Sequence, residues 1–231
     1  MLIRGDDMEV TNKLYKNIGI HVITTLFTVD KGSIKVLLVR RTNTPYKDYW
    51  ALPSGALYNN ELLCDGCMRE LKEKTGLTNI NLEFAALFDD INRSDLMRMI
   101  GISFIGVINI DGVKLQKETL KTSSCDFFDI NQIPKLAYDH NDVISKSIEI
   151  LKEKILDSNI LKDLLPTEFT LPELQSVYET LLNRELDRRN FRKKLINDGI
   201  IEDLNKTVTF KGNKPAKMYK FCDINKKINV F

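Results

Sequence analysis

The chain contains 231 residues, of which 43% are hydrophobic and 29% are charged, and its formal net charge is +2 at pH 7. These values are ordinary for a water-soluble globular protein, and the length allows one large domain or two modest ones. No apolar run approaches the length of a membrane span, and the first residues do not resemble a secretion signal. We therefore expect a cytoplasmic protein with no membrane partner.

The charge is unevenly distributed along the chain. Residues 161–231 contain 14 Lys and Arg against 10 Asp and Glu, a net charge of +4, whereas residues 1–160 carry a net charge of −2. Basic surfaces can bind polyanions such as nucleic acids, although most of them are simply solvated. The charge pattern favours a polyanion partner for the C-terminal third without establishing one.

Hydrophobic patterning predicts mixed strands and helices over the first two thirds of the chain. The predicted strands cover residues 19–29, 34–41, 49–57, 79–88, 100–110 and 124–128. The first two flank a turn signal at residues 30–33 and predict a hairpin. Helices are predicted at 61–74, ended by Gly76 as C-terminal cap, and at 142–156.

The four cysteines do not form a disulfide or metal-binding pattern. Cys64, Cys67, Met68 and Leu71 recur at i, i+3, i+4 and i+7, which places them on one face of the predicted helix. We interpret Cys64 and Cys67 as buried core thiols, and a redox or metal role is the alternative.

Residues 55–77 contain the most specific spacing in the chain. Gly55 is followed after five residues by Glu61 and, after seven more, by Arg69-Glu70-Leu71-Lys72-Glu73-Lys74-Thr75-Gly76-Leu77. This segment resembles the Nudix box, G-x5-E-x7-R-E-U-x-E-E-x-G-U with U aliphatic, except that Lys74 replaces the last glutamate. The resemblance implies a Nudix fold and a ligand that contains a pyrophosphate.

The carboxylates of the box are the candidate catalytic and metal-ligating groups. Residues 70, 73 and 74 lie on one face of a helix. Carboxylates arranged in this way can hold Mg2+, which prefers oxygen ligands, against substrate phosphates. The resemblance therefore assigns Glu70 and Glu73 as catalytic residues and as ligands of Mg2+. Because Lys74 removes one carboxylate and adds a cation, we expect weakened Mg2+ binding and slow or absent hydrolysis.

Further candidate ligand-binding residues surround the box. Family members usually have Leu-Pro-Gly-Gly before the helix, where this chain has Leu52-Pro53-Ser54-Gly55. Arginines in this region could bind phosphate, although each could also be an ordinary surface charge. The predicted ligand-binding residues are Arg41, Ser54, Gly55, Arg93 and Arg98.

The last third predicts a second domain. Thr170-Leu171-Pro172-Glu173 has the pattern of a capping box at the start of a helix, and Asp187 can cap a second helix that runs to Asn197. Two short strands follow, around a turn at residues 212–215. Helix, turn, helix and β-hairpin is the plan of a winged helix-turn-helix. The predicted division is a tail at 1–15, a first domain at 16–157 and a second domain at 158–231.

The second of these helices carries candidate DNA-contacting residues. Phe191 and Leu195 mark its buried side, and at about 100° per residue its polar side chains project roughly opposite. Arg and Lys can contact guanine edges or phosphates, and Asn can pair with adenine. The predicted DNA-binding residues are Arg188, Arg189, Asn190, Arg192 and Lys193 on the helix, with Lys214 and Lys217 on the hairpin. A winged helix used only for protein contacts is the alternative.

The two halves in this order resemble the Nudix-related transcriptional regulators. Residues 136–140 (Leu-Ala-Tyr-Asp-His) resemble a segment of that family, residues 186–194 resemble its recognition-helix motif, and residues 212–219 resemble its wing. The resemblance implies an α+β protein, with a Nudix α/β/α sandwich built on a mixed sheet and followed by a winged helix-turn-helix domain. It further implies a homodimer that binds double-stranded operator DNA, commonly as a repressor, and senses ADP-ribose or a related NAD-derived nucleotide sugar.

Two alternatives remain open at this point. The first is an active Mg2+-dependent Nudix hydrolase of ADP-ribose or another nucleoside diphosphate derivative, with an accessory C-terminal domain. The second is a sugar-responsive regulator of the same family.

Overall fold

The computed structural model describes residues 18–155, 158–209 and 215–222, apart from the side chains of residues 158 and 159. The predicted tail at 1–15 and Lys214 of the hairpin lie outside the described residues. The strands are β1 (Gly19–Asp30), β2 (Ser33–Arg41), β3 (Trp50–Ala51), β4 (Ser54–Ala56), β5 (Leu82–Phe88), β6 (Met99–Val107), β7 (Thr122–Asp129), β8 (Phe169–Thr170), β9 (Ile201–Val208) and β10 (Ala216–Phe221). The helices are α1 (Leu63–Thr75), α2 (His140–Lys154), α3 (Ser158–Leu164), α4 (Leu171–Leu182) and α5 (Arg188–Asn197).

A mixed seven-stranded sheet is the frame of the first domain. Its order is β3-β2-β1-β6-β5, with β4 paired to β1 and β7 paired to β2. β1 and β6 run parallel, whereas β1 and β2 form the predicted antiparallel hairpin. Successive side chains of a strand point to opposite faces. Leu26 of β1 thus joins Leu71 of α1 in one hydrophobic cluster, and Phe27 joins Val143 of α2 in another. The predicted α/β/α sandwich is confirmed.

The box helix α1 ends as predicted and begins slightly later than predicted. Gly76 adopts a left-handed conformation, with φ of 77°, and its N–H donates to the carbonyl of Lys72 at 2.8 Å. This conformation is easily reached only by glycine. Glu61, where the helix was expected to start, lies before it, and its carboxylate accepts hydrogen bonds from Arg69 and from the Tyr58 N–H.

The prediction of buried cysteines is right for Cys67 and wrong for Cys64. Cys67 is fully buried, and burial raises the pKa of its thiol to about 12. Cys64 is exposed. It is the second residue of α1, and the i, i+3 spacing defines a helix face without showing which turns of that face are covered by the sheet.

The second domain has the predicted plan. At the start of α4, the Thr170 hydroxyl accepts from the Glu173 N–H at 3.4 Å, and the Glu173 carboxylate accepts from the Thr170 N–H at 2.7 Å. Asp187 caps α5 by accepting from the Asn190 N–H at 2.8 Å. The domain also contains an antiparallel sheet of order β8-β10-β9, in which β8 precedes the two helices in the chain and β9 and β10 come after them. The short elements α3 and β8 were not predicted, because segments of this length hold too few residues for a periodic pattern.

In the described residues the two domains share a hydrophobic core. The cluster extends from Ile23 in β1 to Tyr219 in β10, and α4 packs against both β2 and α2. Tyr178 of α4 is fully buried, and its hydroxyl donates to the carbonyl of Ile155 at 3.4 Å. The boundary after residue 157 falls between α2 and α3 and stays a prediction. None of the described helices combines the length and the apolarity needed to cross a bilayer.

Candidate functional site

The C-terminal half of α1 and the loop before it form one wall of a pocket of about 220 Å3, which we call the box pocket. It opens beside β4 and the segment that leads into β7. Its lining residues are His21, Val39, Arg41, Thr42, Asn43, Ala51, Leu52, Ser54, Gly55, Glu70, Lys74, Lys121, Thr122 and Tyr138. Three of the five predicted ligand-binding residues therefore meet here, namely Arg41, Ser54 and Gly55.

Glu70 lies at the base of this pocket, and each oxygen of its carboxylate faces a cation. The Nζ of Lys74 is 3.2 Å from Oε2, and the Nζ of Lys121 is 3.3 Å from Oε1, which Arg69 also contacts. Glu70 is only 3% exposed. Burial raises the pKa of this carboxyl group, but Lys74, Arg69 and Lys121 outweigh that effect and lower it below its ordinary value. Glu70 is therefore ionised and already paired.

Gly55 is required by the close approach of Glu70 to the loop. A Cβ atom at this position would lie 2.2 Å from the carboxylate carbon of Glu70. Because the Glu70 side chain is held on both sides by ion pairs, it has no room to retreat. The first residue of the box spacing is thus explained by packing.

Lys74 joins the helix to the loop. Its amine donates to the carbonyl of Ser54 and contacts the carboxylate of Glu70. Burial lowers the pKa of Lys74, and the neighbouring carboxylate of Glu70 opposes that change. The residue that departs from the Nudix pattern is therefore a structural contact between α1 and β4.

Lys121 is a component of the site that the sequence did not reveal. Its ammonium group contacts Glu70 and also Glu73 of the box. Burial lowers the pKa of Lys121, but hydrogen bonds to Glu73 and Glu70 outweigh this and raise it. Lys121 is 48 residues away from Glu73 along the chain. No spacing rule connects residues that meet only through a sheet.

The box residues do not fit Mg2+ as they are arranged. Mg2+ requires oxygen ligands at about 2.0–2.1 Å in near-octahedral geometry. The oxygens of Glu70 are occupied by the ammonium groups of Lys74 and Lys121, and Glu73 is paired with Lys121. Within the described ranges, no three His, Cys, Asp or Glu side chains are grouped so that they could hold a metal ion. The assignments of Glu70 and Glu73 as catalytic and metal residues stay predictions.

Arg41 and Tyr138 form the opposite rim of the box pocket. The guanidinium of Arg41 donates to the Pro45 carbonyl at 2.8 Å and to the Tyr138 hydroxyl at 3.3 Å. His21 lies nearby, and burial together with Arg93 and Lys74 lowers its pKa to about 4. His21 is therefore neutral at physiological pH, so the positive charge of this rim comes from Arg41.

A second pocket of about 560 Å3 shares Tyr138 with the box pocket. Its lining residues are Tyr46, Leu87, Phe88, Asp89, Asp90, Asn92, Arg93, Tyr138, Asp139 and Asp142. The rings of Tyr46 and Tyr138 have their centroids 4.7 Å apart. We call this space the tyrosine pocket.

The predicted phosphate-binding role of Arg93 and Arg98 is not evident in their contacts. Arg93 donates two hydrogen bonds, of 2.9 and 2.8 Å, to the carboxylate of Asp139. Arg98 donates to the carbonyls of Asp89 and Asp90 at 2.7 and 2.8 Å. Arg98 is not among the lining residues of either pocket. Both arginines brace the wall of the tyrosine pocket, and their binding role stays a prediction.

His140 connects the box pocket to α2. Its Nδ1 accepts from the Leu52 N–H at 3.0 Å, and its Nε2 has no partner among the described residues. Burial, and then the neighbouring His21, lower its pKa well below the ordinary value. The neutral ring therefore holds the loop before Ser54 against the first residue of α2.

A basic groove of about 730 Å3 lies between α5 and β10. Its lining residues are Leu171, Pro172, Arg188, Arg189, Arg192, Lys193, Ile196, Asn197, Pro215, Ala216, Lys217 and Tyr219. Five of these are cations, and none of the described lining residues is acidic. This arrangement suits the phosphates of a nucleic acid.

The predicted DNA-binding roles stay predictions, and two of the residues have surroundings that the sequence did not indicate. Asn190 lines another pocket, together with Phe191 and Lys194, and not the basic groove. Lys217 does line the groove, but its ammonium is paired with Asp203 at 2.6 Å. The projection onto a regular helix could not show that Asn190 faces the turn before α5, or that Asp203 of β9 pairs with Lys217 of β10.

Comparison with known proteins agrees with this arrangement. Residues 19–147 match the NUDIX domain, and residues 161–221 match the NrtR DNA-binding winged helix domain. The chain is 31% identical over 201 residues to the ADPR responsive transcriptional repressor NtrR of Acinetobacter baylyi, which covers 85% of this chain and 79% of the relative.

Two solved structures are similar to this chain. Shewanella oneidensis NrtR complexed with a 27mer DNA has 28% sequence identity and a TM-score of 0.69, covering 88% of this chain and 93% of that one. The NUDIX domain of the same protein complexed with ADP ribose has 26% identity and a TM-score of 0.55, covering 60% of this chain and 92% of that one. The chain therefore belongs to the NrtR family, in which a Nudix domain is followed by an NrtR DNA-binding winged-helix domain.

Proposed function

We propose that this protein is a transcriptional repressor that binds double-stranded operator DNA through α5 and releases it when ADP-ribose occupies the box and tyrosine pockets. The observation that carries this proposal is a basic groove on the same chain as a Nudix pocket whose central carboxylate, Glu70, is neutralised by lysines. The relative from Acinetobacter is an ADPR responsive repressor, and the structures from Shewanella contain DNA and ADP ribose.

The basic groove has the features of a recognition helix beside a wing. Arg188, Arg189, Arg192 and Lys193 are exposed on α5 and lie on the side that faces β10. A helix in this setting enters the major groove, where arginine can read guanine and lysine can neutralise phosphates. The helix is fixed from behind by Phe191, which is buried against Tyr178 of α4 with ring centroids 5.4 Å apart.

The box pocket supports sensing in preference to hydrolysis. Nudix hydrolysis requires a metal ion that neutralises the diphosphate as it is cleaved, and Lys74 and Lys121 pair with the carboxylate that would hold that ion. A sensor must bind its ligand without consuming it, since hydrolysis would destroy the signal. The hydrolase alternative therefore has the weaker support.

The effector can release DNA only if it binds the DNA-free conformation better than the DNA-bound one. A continuous set of contacts connects the two sites. His140 of α2 accepts a hydrogen bond from the loop of the box pocket. Ile155, the C-terminal cap of α2, accepts one from Tyr178 of α4. Helix α4 in turn packs against α5. Helix α2 is the element that both sites can bias.

We further propose that two copies of the chain form a homodimer in the cytoplasm. Helix-turn-helix dimers read two half-sites, which matches the two-fold symmetry of operators. β5 is at the edge of the sheet, where Phe84 and Leu87 are 61% and 53% exposed, and such apolar residues favour a partner surface.

The DNA-binding proposal predicts a specific loss in Arg189→Ala. Removing a bidentate contact to a base should weaken operator binding by roughly 1–3 kcal/mol and relax base preference, because Arg189 lines the basic groove. Fluorescence anisotropy with operator and random DNA measures both effects. Lys117→Ala, which removes one exposed cation from the first domain outside α2, is the control and should bind like the wild type. Equal affinities for all three proteins would show that α5 does not read DNA.

The effector proposal predicts that ADP-ribose lowers operator affinity by about 5- to 150-fold, the usual range of coupling between sites. The measurement is a gel shift with the DNA upstream of the protein's own gene, with ADP-ribose and with AMP as the control ligand. AMP lacks the diphosphate and should have a smaller effect. Release by a sugar, with no response to ADP-ribose, would favour the sugar-responsive alternative instead.

The catalytic prediction concerns Lys74. With Mg2+, the wild-type protein should release AMP from ADP-ribose slowly or not at all, whereas Lys74→Glu completes the carboxylate set and should increase Mg2+-dependent release. Lys72→Glu makes the same charge change at an exposed position of α1 and should have no effect. Release of AMP is measured by chromatography. Wild-type turnover on the order of 10 per second, typical of enzymes, would establish the hydrolase alternative.

A further inference from the structure

We infer that the diphosphate of the effector is bound in the box pocket without a metal ion, by the cationic side chains of Lys121 and Arg41, while Lys74 neutralises Glu70. This inference rests on the proposed function and concerns how the site recognises its ligand. It assigns to two lysines the role that a divalent cation has in a Nudix hydrolase.

The sign of the pocket's charge supports this assignment. Its charged lining residues are Arg41, Glu70, Lys74 and Lys121, three cations and one carboxylate. A diphosphate ester carries a negative charge on each phosphate, so it complements this wall directly. With glutamate at position 74 the cations and carboxylates would balance, and a metal ion would be needed to attract the same ligand.

The two lysines have different positions and therefore different roles. The side chain of Lys74 is 12% exposed and is held by Glu70 and the Ser54 carbonyl, so it fixes the loop and neutralises the carboxylate. The side chain of Lys121 is 34% exposed and reaches the pocket from the segment before β7. Lys121 can turn its one remaining N–H donor to a phosphate while it stays bonded to Glu70 and Glu73, since an ammonium group has three donors.

A metal ion would have to displace these contacts to bind. Both oxygens of Glu70 have an ammonium nitrogen at 3.2–3.3 Å. A divalent cation at the same carboxylate would face two like charges at short range, in a site where Glu70 is almost completely buried. Expelling Lys74 would also break its bond to the Ser54 carbonyl. Metal binding is thus opposed by repulsion and by loss of loop structure.

The volume of the box pocket indicates that it can hold only part of a nucleotide sugar. At about 220 Å3 the box pocket is smaller than the roughly 300–1,000 Å3 of a site for a whole ligand of drug size. The tyrosine pocket of about 560 Å3 lies on the other side of Tyr138. A nucleotide sugar can therefore place its diphosphate among the cations and one of its ends beside Tyr46 and Tyr138.

The test is calorimetric titration of ADP-ribose into the full-length protein, once with EDTA and once with excess Mg2+. The expected dissociation constants agree within about twofold. Lys121→Met should weaken binding in EDTA by about 10- to 100-fold, as expected for the loss of a hydrogen bond to a charged group. Lys121→Arg keeps the cation and should retain most of the affinity. Lys117→Met is the control, since Lys117 is exposed, pairs with Asp126 and is not among the lining residues.

The outcomes separate this inference from the proposed function. Binding that requires Mg2+, or Lys121→Met binding like the wild type in EDTA, would overturn the metal-free site and leave ADP-ribose sensing intact. An absence of ADP-ribose binding in both buffers would overturn the proposed function together with the inference. Circular dichroism confirms folding of each variant, and the Lys121→Arg result decides the role of the cation if Lys121→Met does not fold.

Discussion

The pairing of the buried Glu70 carboxylate with Lys74 and Lys121 is the interaction on which the candidate site depends. It allows an ionised carboxylate to remain buried, which would otherwise be costly. It holds α1 to the loop through the Ser54 carbonyl, and it requires glycine at position 55 because the carboxylate is pressed against the backbone. It also gives the pocket a positive wall. We propose that this pairing lets the site contact its ligand directly, without a bridging metal ion.

The second constraint is the core shared by the two domains. In the part of the chain that the structure describes, α4 of the winged helix packs on β2 of the Nudix sheet and on α2. His140, the first residue of α2, accepts a hydrogen bond from the Leu52 N–H in the loop before Ser54. Ile155, at the other end of α2, accepts one from the Tyr178 hydroxyl. A small displacement of α2 would therefore change the contacts of both the box pocket and α4, because packed cores move between discrete arrangements and do not deform continuously.

Sequence reasoning predicted those features that depend on local pattern. The Nudix spacing, the Gly76 cap and the Thr170 capping box each involve residues that are near one another in the chain, and each is confirmed. Features that depend on contacts across the sheet could not be predicted. Lys121 meets Glu73 only because β7 pairs with β2 beside α1. The exposure of Cys64 was missed because helix periodicity does not show where the covering sheet ends.

Coupling between the box pocket and the DNA-binding domain can be measured by titrating ADP-ribose into the free protein and into the protein saturated with operator DNA. If effector and DNA oppose each other through α2, reciprocity requires that DNA weaken ADP-ribose binding by the same factor by which ADP-ribose weakens DNA binding. We expect a larger dissociation constant for the DNA-bound protein. Equal dissociation constants in the two titrations would contradict this expectation, because the pocket would then be uncoupled from the DNA-binding domain.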